Sequence, residues 1–516
     1  MKRYLLLGLI FIFSITFSFS QRFQIDSTFG INGRAYSITP PNGLPISSKI
    51  SLDKILVNIS YQSATTFRGK FCYSIFDAQG KLFNDLGQDG VVLDSLTLDH
   101  VGFDGVMTKG GEVLQVGGIE FENSGAALVG KFNSAGIIDR SFGDKGFFLK
   151  KLDFISQAIT IIMDEMESIY VGALSATNVS ETSFIMKLTP SGAPDTSFNS
   201  SGYFVCNFNG EPKIRKIIFQ EDGKLLAFCE QSFINATHIL IFRLLTNGTL
   251  DTSFGDNGSI SIPLRDIDTY AGDFVRLSNR RYAFNSIRNV FEPGETPLSD
   301  VYVIKENGEL DTTFCTDCPQ PGVSPIEGNL IESILPYRDK ILLGGWIPDG
   351  DGNFSRIRID RLSDDKLDVN FRAVNANFFE SMKDSFYLTS YVLQDTSRVI
   401  CLGLDRTVSK SYNATLLALK LDNSISNKKL ETTTDDILLY PNPVDDILHL
   451  VLSNPEKSNP SIIVKVYTVE GKLIKTQACS VEDGELKVPI KLLPPGNYVG
   501  TINNGIAIQT FKFSKI

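Results

Sequence analysis

A short motif returns along this chain at an almost constant interval. Seven stretches align on a phenylalanine or its substitute, and DTSFGDNG at residues 251–258 is the clearest of them. The aligned residues follow each other every 56 to 60 positions and are Phe29, Leu86, Phe142, Phe198, Phe254, Phe314 and Phe371. A period of this length is typical of repeat architectures, in which each unit buries its apolar face against its neighbours. The fold is therefore expected to consist of seven similar units.

The sequence between two motifs predicts four short β-strands. In the second unit they are expected at residues 91–96, 101–108, 112–119 and 126–132. The third segment of a unit, such as GKLLAFCE at residues 223–230, is almost continuously apolar, which indicates a strand covered on both faces. We therefore expect an all-β fold, a seven-bladed β-propeller built from repeats of about 57 residues. An open β-solenoid is the competing architecture.

The motif itself has residue types that suit a tight turn. Its opening aspartate, such as Asp251, can accept a backbone N–H bond from two residues further along. Asn247 and Gly248 favour a hairpin-type turn, and Gly255 allows a positive φ. Phe254 is expected to be a buried anchor. These residues therefore have structural roles before any chemistry is considered.

These units resemble the delta-60 repeat, whose pattern is similar to G-K-(I/L)-L-x-G-G, a variable loop and then L-x-x-(D/N)-G-x-L-D-x-x-F-G-x-x-G. The resemblance covers roughly residues 22–422 and is closest in the second, fourth and sixth units. It implies a propeller-like fold and brings no assigned catalytic residues. We therefore assign residues 21–422 to the propeller.

The N-terminus has the parts of a secretory signal. Two cations precede an apolar run over residues 5–17, and small residues follow up to Ser20. We expect residues 1–20 to be a signal peptide that is cleaved before Gln21. An uncleaved membrane anchor is the alternative. We expect no transmembrane segment in the mature form, since no later stretch has the roughly eighteen consecutive apolar residues of a spanning helix.

The charge balance argues against nucleic acid as a partner. The chain has 49 Lys and Arg against 59 Asp and Glu, a formal net charge of −10. Such a surface repels phosphate backbones, and no basic run in the sequence offsets this repulsion. We expect a monomer without a cofactor.

The seven cysteines are too scattered for a disulfide framework. Two of them form one CxxC, with Cys315 and Cys318 at the motif positions held by Gly255 and Gly258 one unit earlier. A zinc site would need two further ligands, and a thioredoxin-type redox centre would need a helix that is not predicted here. The favoured interpretation is a local disulfide, or two tolerated thiols, in a turn.

Composition changes after the last repeat. Residues 423–436 are polar, contain no strand-length apolar run, and are interpreted as a linker. Within residues 437–516, apolar side chains alternate with polar ones, for example at Val464 and Val466. Because such alternation predicts half-buried antiparallel strands, we expect a small immunoglobulin-like β-sandwich.

Three motifs mark this C-terminal region: an opening Y-P-N-P-x-x-D-x-L, a central V-x-V-Y-x-x-x-G-K and a closing L-x-x-G-x-Y. The residues that carry them, with a basic residue near the end, include Tyr440, Pro441, Asn442, Pro443, Asp446, Leu448, Gly471, Gly496, Tyr498 and Lys515. The region resembles the type A C-terminal sorting domain of the type IX secretion system, although Thr468 stands where that family usually has Asp. The resemblance implies the secretion machinery as a partner, removal of the tail, and cargo that is released or attached to the cell surface.

The sequence contains none of the common catalytic motifs. It has no G-x-S-x-G elbow, no HExxH and no P-loop. The three histidines are His100, His238 and His449, and His238 lies in an apolar run that favours a position in a strand. We assign no catalytic residues, although carboxylates in a propeller channel leave acid–base catalysis open.

One segment has the spacing of a calcium loop. IPDGDGNFS places Asp349, Asp351 and Asn353 at alternating positions but lacks the later bidentate Glu. A solvated hairpin loop is the preferred interpretation. We assign no metal ligands.

Three classes of function remain. We expect a secreted or surface protein that is not an enzyme and that binds a protein or glycan through loops of uneven length, such as residues 285–300. A secreted hydrolase or lyase that uses channel carboxylates is the first alternative. A passive structural protein of the cell surface is the second.

Overall fold

The computed structural model describes the chain from Arg22 to Lys515, with gaps. Every described element is a β-strand. The chain divides into two compact units, Met1–Asn423 and Ser424–Ile516, called the N-terminal and C-terminal units below. The stretches that are not described are 1–21, 39–42, 52, 63–68, 95, 97–98, 122–123, 152–154, 178–179, 266–268, 289–297, 328–329, 338–339, 349–353, 364–365, 368–385, 396–397, 406–412, 423–436, 441–443, 445, 453–461, 469–472, 480–484, 492, 504–507 and 516.

The described residues of the N-terminal unit form seven antiparallel sheets, numbered 1 to 7 along the chain. The described part of the unit begins with β1 (Arg22–Ile25) and β2 (Arg34–Ile38). Sheets 1 to 3 contain β3 (Leu44–Ser51), β4 (Lys54–Gln62), β5 (Gly69–Asp77) and β6 (Val91–Leu93); β7 (His100–Met107), β8 (Val113–Phe121), β9 (Ser124–Phe132) and β10 (Phe147–Lys150); β11 (Ile155–Met163), β12 (Ile169–Ala176), β13 (Glu181–Leu188) and β14 (Tyr203–Val205).

The remaining sheets follow the same scheme, in which consecutive strands pair in chain order. Sheets 4 to 6 contain β15 (Glu211–Phe219), β16 (Leu225–Phe233), β17 (Ala236–Leu244) and β18 (Ser259–Pro263); β19 (Thr269–Arg276), β20 (Tyr282–Arg288), β21 (Leu298–Ile304) and β22 (Val323–Glu327); β23 (Leu330–Tyr337), β24 (Lys340–Pro348), β25 (Phe354–Ser363) and β26 (Lys366–Leu367). Sheet 7 contains β27 (Phe386–Leu393), β28 (Arg398–Asp405) and β29 (Asn413–Asp422), together with β1 and β2.

The two ends of the N-terminal unit close the ring of sheets. β2 pairs with β29 from Arg34 opposite Leu417 onward, and β1 pairs with the same strand from Arg22 opposite Asp422. β27 of sheet 7 also lies against β3 of sheet 1. Because the first two described strands complete the last sheet of this unit, the unit is a closed β-propeller and not an open solenoid.

The sheets are offset by one strand from the sequence units. Residues 91–96 were expected in one unit with the three segments that follow, but β6 pairs with β5 of the preceding sheet. The other three segments are correct and correspond to β7, β8 and β9. The offset arises because the motif is the turn between the third and fourth strands of a sheet, and strands joined by such a turn pair locally.

Each motif aspartate that the structure describes organises its own turn, as the sequence predicted, whereas the motif of Phe371 lies outside the described residues. Asp251 accepts hydrogen bonds at Oδ1 from the backbone N–H and the hydroxyl of Ser253, at 3.1 and 2.6 Å. Its Oδ2 accepts from Nε of Arg243 at 2.9 Å. The bond from the backbone N–H two residues further on recurs at Asp26, Asp139, Asp195 and Asp311.

In at least four of the described motifs, the residue after the phenylalanine also connects two sheets. Phe254 is fully buried, and the N–H of Gly255 donates to the carbonyl of Asn307 in sheet 5 at 2.8 Å. Gly308, with φ of 92°, lies so close that a Cβ there would be 2.9 Å from the Phe254 ring. The motif phenylalanine therefore packs under the glycine turn of the next sheet, which accounts for both residue types in the repeat.

The core of the N-terminal unit lies between neighbouring sheets. Leu226 and Phe228 of β16 are fully buried and belong to the same apolar cluster as Phe274 and Phe284 of sheet 5. The rings of Phe228 and Phe274 stack with centroids 5.2 Å apart. The intervening apolar residues of β16 belong to a second cluster, shared with sheet 3. The almost continuously apolar segment at residues 223–230 is therefore covered on both faces, as predicted.

The C-terminal unit consists of two sheets around one core. Its strands are β30 (Ile437–Tyr440), β31 (Ile447–Leu452), β32 (Ile462–Thr468), β33 (Leu473–Cys479), β34 (Glu485–Pro489), β35 (Gly496–Asn503) and β36 (Ile508–Lys515). β30, β31 and β34 form one sheet, and β33, β32, β35 and β36 form the other. Leu448 and Leu450 of the first sheet share a fully buried cluster with Val464 and Val466 of the second. This is the two-layer β arrangement that the alternating pattern predicted.

Candidate functional site

The inner edges of the sheets surround a channel through the N-terminal unit. Each sheet contributes its first strand, so that the walls are β3, β7, β11, β15, β19, β23 and β27. The channel encloses a cavity of about 770 Å³. This volume lies within the roughly 300–1,000 Å³ of typical ligand pockets.

A β-bulge interrupts the pairing of every wall strand with its neighbour. In β7 the register shifts between Gly102 and Asp104, and the other wall strands shift at corresponding places. Bulges add one or more residues to a strand and change the direction of nearby side chains. The bulged residues that line the cavity include Phe103, Ile159, Arg215, Asp273, Glu332 and Thr389.

Asp104 follows the bulge of β7 and is held by both neighbouring sheets. From sheet 1, Lys49 Nζ lies 2.6 Å from its Oδ2, and the Ser47 hydroxyl donates to Oδ1 at 3.1 Å. From sheet 3, the N–H of Ile161 donates to Oδ2 at 3.2 Å, and the Thr160 hydroxyl does so at 3.4 Å. Both carboxylate oxygens therefore bind groups of the channel wall.

Asp273 repeats this arrangement on another part of the ring. Lys216 of sheet 4 lies 2.6 Å from its Oδ1. From sheet 6, the Ser333 hydroxyl and the N–H of Ile334 both donate to Oδ2 at 3.1 Å. In both places a carboxylate pairs with a lysine of the preceding sheet and with a hydroxyl and an N–H of the following sheet.

A third charged group lies near the bulge of β15. Arg215 Nη2 is 3.0 Å from the carboxylate of Glu230, which also accepts the N–H of Ala271 at 3.3 Å. Burial raises the pKa of the nearby Tyr270 hydroxyl, the charges of Glu332 and Glu230 add to the increase, and Arg215 opposes it. Sheets 4 to 6 therefore bring two carboxylates, a guanidinium and a phenol close together.

The three histidines lie outside the lining of the channel. His100 and Asp94 are both fully buried, with His100 Nε2 2.8 Å from the Asp94 carboxylate, which also accepts the N–H of Phe71. His238 is half-buried beside Ser261, with Nδ1 3.0 Å from the hydroxyl. None of the described residues that line the cavity is a histidine. Within the described residues, no group of three or more His, Cys, Asp or Glu could hold a metal ion, and the segment of Asp349 lies outside them.

The CxxC lies in the motif turn of sheet 5, where Cys315 and Cys318 are joined as a disulfide. Cys315 has a φ of 50°, in the left-handed region where most other motifs carry glycine. The alignment of Cys318 with Gly258 is wrong, because Gly322 occupies that place. Its N–H donates to the carbonyl of the motif residue Phe314, as the N–H of Gly258 does in its own motif. This turn is therefore four residues longer than the other described motif turns, and Cys318 lies in the extra length.

Several predicted sorting residues stabilise the C-terminal unit. Leu448 is fully buried, and Tyr498 stacks on Phe513 with ring centroids 5.5 Å apart. Gly496 pairs with Lys515, which is buried. Asp446 is exposed, Tyr440 belongs to β30, and Pro441, Asn442, Pro443 and Gly471 lie outside the described residues.

Residues 438–515 match the family described as the secretion system C-terminal sorting domain. The C-terminal unit is a secretion-system sorting domain. This match confirms the resemblance to the sorting domain of the type IX secretion system. The protein is therefore exported to the cell surface or the extracellular space. Its partner in this step is the secretion machinery.

Two stretches of the N-terminal unit, residues 168–198 and 220–254, match a beta-propeller described as the domain of unknown function DUF5122. The first runs from the start of β12 to a motif phenylalanine, and the second covers the corresponding part of sheet 4. No curated protein matches the chain. Among the described residues, there is no helix with the length and apolar character that crossing a membrane requires.

Several solved structures resemble the chain at low identity. Polysaccharide lyase Uly1 is 9% identical with a TM-score of 0.46, covering 76% of this chain and 93% of that one. A protein of unknown function from Dyadobacter fermentans is 9% identical with a TM-score of 0.39, covering 75% and 98%. The beta-propeller domain of the trilobed protease from Pyrococcus furiosus is 8% identical with a TM-score of 0.37, covering 75% and 95%. We draw no functional conclusion from these likenesses.

None of the channel residues belongs to a motif that the sequence reveals. One signal was present, since charged side chains interrupt otherwise apolar first strands, as in EPKIRKIIF of β15 and TYAGDFVR of β19. The bulges that bring Arg215 and Glu332 to the channel depend on pairing between strands and leave no regular pattern in the sequence.

Proposed function

We propose that this protein is an extracellular, non-enzymatic binding scaffold whose propeller holds part of a protein or glycan in its central channel. The observation that supports this proposal is the cavity of about 770 Å³, lined by charged, hydroxyl and apolar side chains of the wall strands. Pockets that combine apolar walls with a few fixed polar groups are the usual form of a ligand site.

The channel carboxylates support binding more than proton transfer. A general acid or base has to reach the substrate proton directly or through one water molecule. Both oxygens of Asp104 and of Asp273 are already engaged by lysine, hydroxyl and backbone donors. Such contacts fix the shape and charge of the wall, which suits recognition of a ligand.

A hydrolase or lyase is the second candidate, and one cluster favours it. The charges of Glu230 and Glu332 both raise the pKa of the Tyr270 hydroxyl, and Arg215 pairs with Glu230. Two carboxylates, a phenol and a guanidinium could supply acid–base chemistry to a sugar. A passive structural role is the third candidate and predicts no ligand at all.

A substitution that fills the channel separates these functions. Thr389 is half-buried in the cavity lining, so Thr389→Trp should obstruct the channel while leaving the sheets paired. We expect the wild-type protein to bind selected members of glycan and peptide arrays and the Trp variant to lose that binding. Mass spectrometry of the bound ligands should find them unchanged. Cleaved ligands would support the enzyme, and binding that the variant retains would contradict the channel as the site.

We further propose that the secretion machinery removes the C-terminal unit and that the propeller acts as a monomer, either released or attached to the surface. Mass spectrometry of the protein from culture medium and from the cell surface tests this. A chain that begins near Gln21 and ends before Tyr440 is expected, and an intact tail in both fractions would contradict it.

A further inference from the structure

The channel lining contains three cations and three carboxylates, the latter being Asp104, Asp273 and Glu332. In the ion pairs that the three cations form, the cation is the more exposed partner. Lys49, Arg215 and Lys216 keep 31%, 45% and 37% of their side-chain surface exposed. Their three carboxylate partners keep only 10% to 15%. Each of these ion pairs therefore presents its positive end to the solvent of the channel and its negative end to the wall.

These cations have hydrogen-bond donors left for a ligand. An ammonium group has three N–H donors and a guanidinium has five. In the described part of the chain, Lys216 Nζ bonds to Asp273 alone and Arg215 to Glu230 alone. Lys49 Nζ donates to Asp104 and to the carbonyl of Ile161, which leaves it one N–H. The less exposed carboxylate behind each cation holds it in place, which reduces the entropy lost when an oxyanion binds.

The two cationic positions lie on different parts of the ring. Lys49 belongs to sheet 1, whereas Arg215 and Lys216 belong to sheet 4, and sheets 2 and 3 separate them. A ligand with repeated negative groups can contact both positions at once. Because the two contacts are then made by one molecule, the second gains from a high effective concentration.

The other polar groups of the lining are mostly hydroxyls. Ser47, Ser48, Ser51, Thr389 and Ser390 surround the Lys49 side of the cavity. Hydroxyl groups both donate and accept hydrogen bonds and therefore match the hydroxyl groups of a sugar. This lining favours an acidic glycan over an acidic peptide, whose backbone amides would need fixed partners in the channel.

We propose that the channel binds an acidic glycan segment through its carboxylate or sulfate groups, held by Lys49 on one side and by Arg215 and Lys216 on the other. This inference rests on the channel being the binding site. It adds the chemical class of the ligand and names the residues that recognise its charge.

The test compares ligands that differ only in charge. Calorimetric titration of the full protein uses oligogalacturonates against their methyl esters, and sulfated chondroitin oligosaccharides against the desulfated forms, with poly-glutamate as the acidic peptide. We expect an acidic oligosaccharide to bind at least about tenfold more tightly than its neutral form, with affinity falling as salt rises.

The matched variants are Lys216→Gln and Lys213→Gln. Both lysines lie on β15 and both are ion-paired, but Lys213 pairs with Glu181 and does not line the cavity. Lys216→Gln should weaken binding of the acidic oligosaccharide about tenfold, and Lys213→Gln should leave it unchanged.

The outcomes separate this inference from the proposed function. Four results would each overturn the acidic-glycan inference. They are equal binding of charged and neutral oligosaccharides, equal effects of the two lysine variants, binding of poly-glutamate alone, and no binding of any acidic oligosaccharide. If Thr389→Trp still abolished the binding of a neutral glycan or a peptide, the channel would remain the binding site. If the protein bound no glycan and no peptide through the channel, both proposals would be overturned.

Discussion

Replacement of Asp251 by Asn tests the structural role of the repeated motif. The carboxylate pairs with Arg243 at 2.9 Å, and both side chains are almost fully buried. Burial alone would raise the pKa of Asp251, but hydrogen bonds from Ser253 and the charge of Arg243 outweigh it and lower the pKa to about 2. The variant keeps an oxygen that can accept from Ser253 and loses the charge.

The expected cost follows from that pKa. A value of about 2 in place of 3.8 corresponds to about 2 kcal/mol of folding free energy at neutral pH. The loss of the partner of a buried guanidinium raises the expected destabilisation toward about 3 kcal/mol. Since the folded-state pKa is lowered, this stabilisation is present above about pH 4 and disappears as the pH falls toward 2.

Urea unfolding provides the assay, because the single tryptophan, Trp346, lies in β24 of the N-terminal unit and reports on that unit. The matched control is Asp195→Asn, at the same motif position, where the carboxylate is 22% exposed and pairs with Lys187 at 2.8 Å. A smaller cost of about 0–1 kcal/mol is expected there. The reasoning would be refuted if Asp251→Asn lowered the free energy of unfolding no more than the control does. It would also be refuted if the loss were as large at pH 2 as at pH 7.

Three further predictions concern the core, the tail and the CxxC turn. Phe254→Ala should cost about 3–5 kcal/mol in the same assay, whereas Ala in place of the exposed Ile234 should cost almost nothing; equal costs would contradict the anchor role. A chain that ends at Asp436 should accumulate in the periplasm on cell fractionation, and normal surface delivery would contradict the sorting role. Mass spectrometry without reduction should find the peptide with Cys315 and Cys318 two hydrogens lighter than the reduced form; free thiols in freshly exported protein would contradict the disulfide.

The repeat and the strand pattern predicted the fold because both act locally. The motif aspartate binds the N–H two residues away, and its phenylalanine must be buried wherever the unit lies. Alternation at Val464 and Val466 likewise requires one buried face. These signals need no knowledge of distant contacts, and the structure confirms them.

The errors arose where pairing between distant segments decides the structure. The offset between units and sheets appears only once β6 is paired with β5 and β2 with β29. The alignment of Cys318 failed because extra residues in the turn moved the second glycine position to Gly322.

The channel could not be predicted for the same reason. Lys49 and Asp104 are 55 residues apart in sequence, and Lys216 and Asp273 are 57 apart. They meet because the wall strands of neighbouring sheets lie side by side around the ring and because bulges redirect the side chains. Their charges are visible in the sequence, but the partnerships between them are not.

The most direct test of the central claim, that the channel is the binding site, is photo-crosslinking from within it. A photoreactive residue at position 389, in the channel lining, is compared with the same residue at position 234, which is 94% exposed at the tip between β16 and β17. After irradiation on living cells, mass spectrometry should find a glycan or peptide attached at position 389 and little at position 234. Equal labelling at both positions, or none at position 389, would contradict the claim.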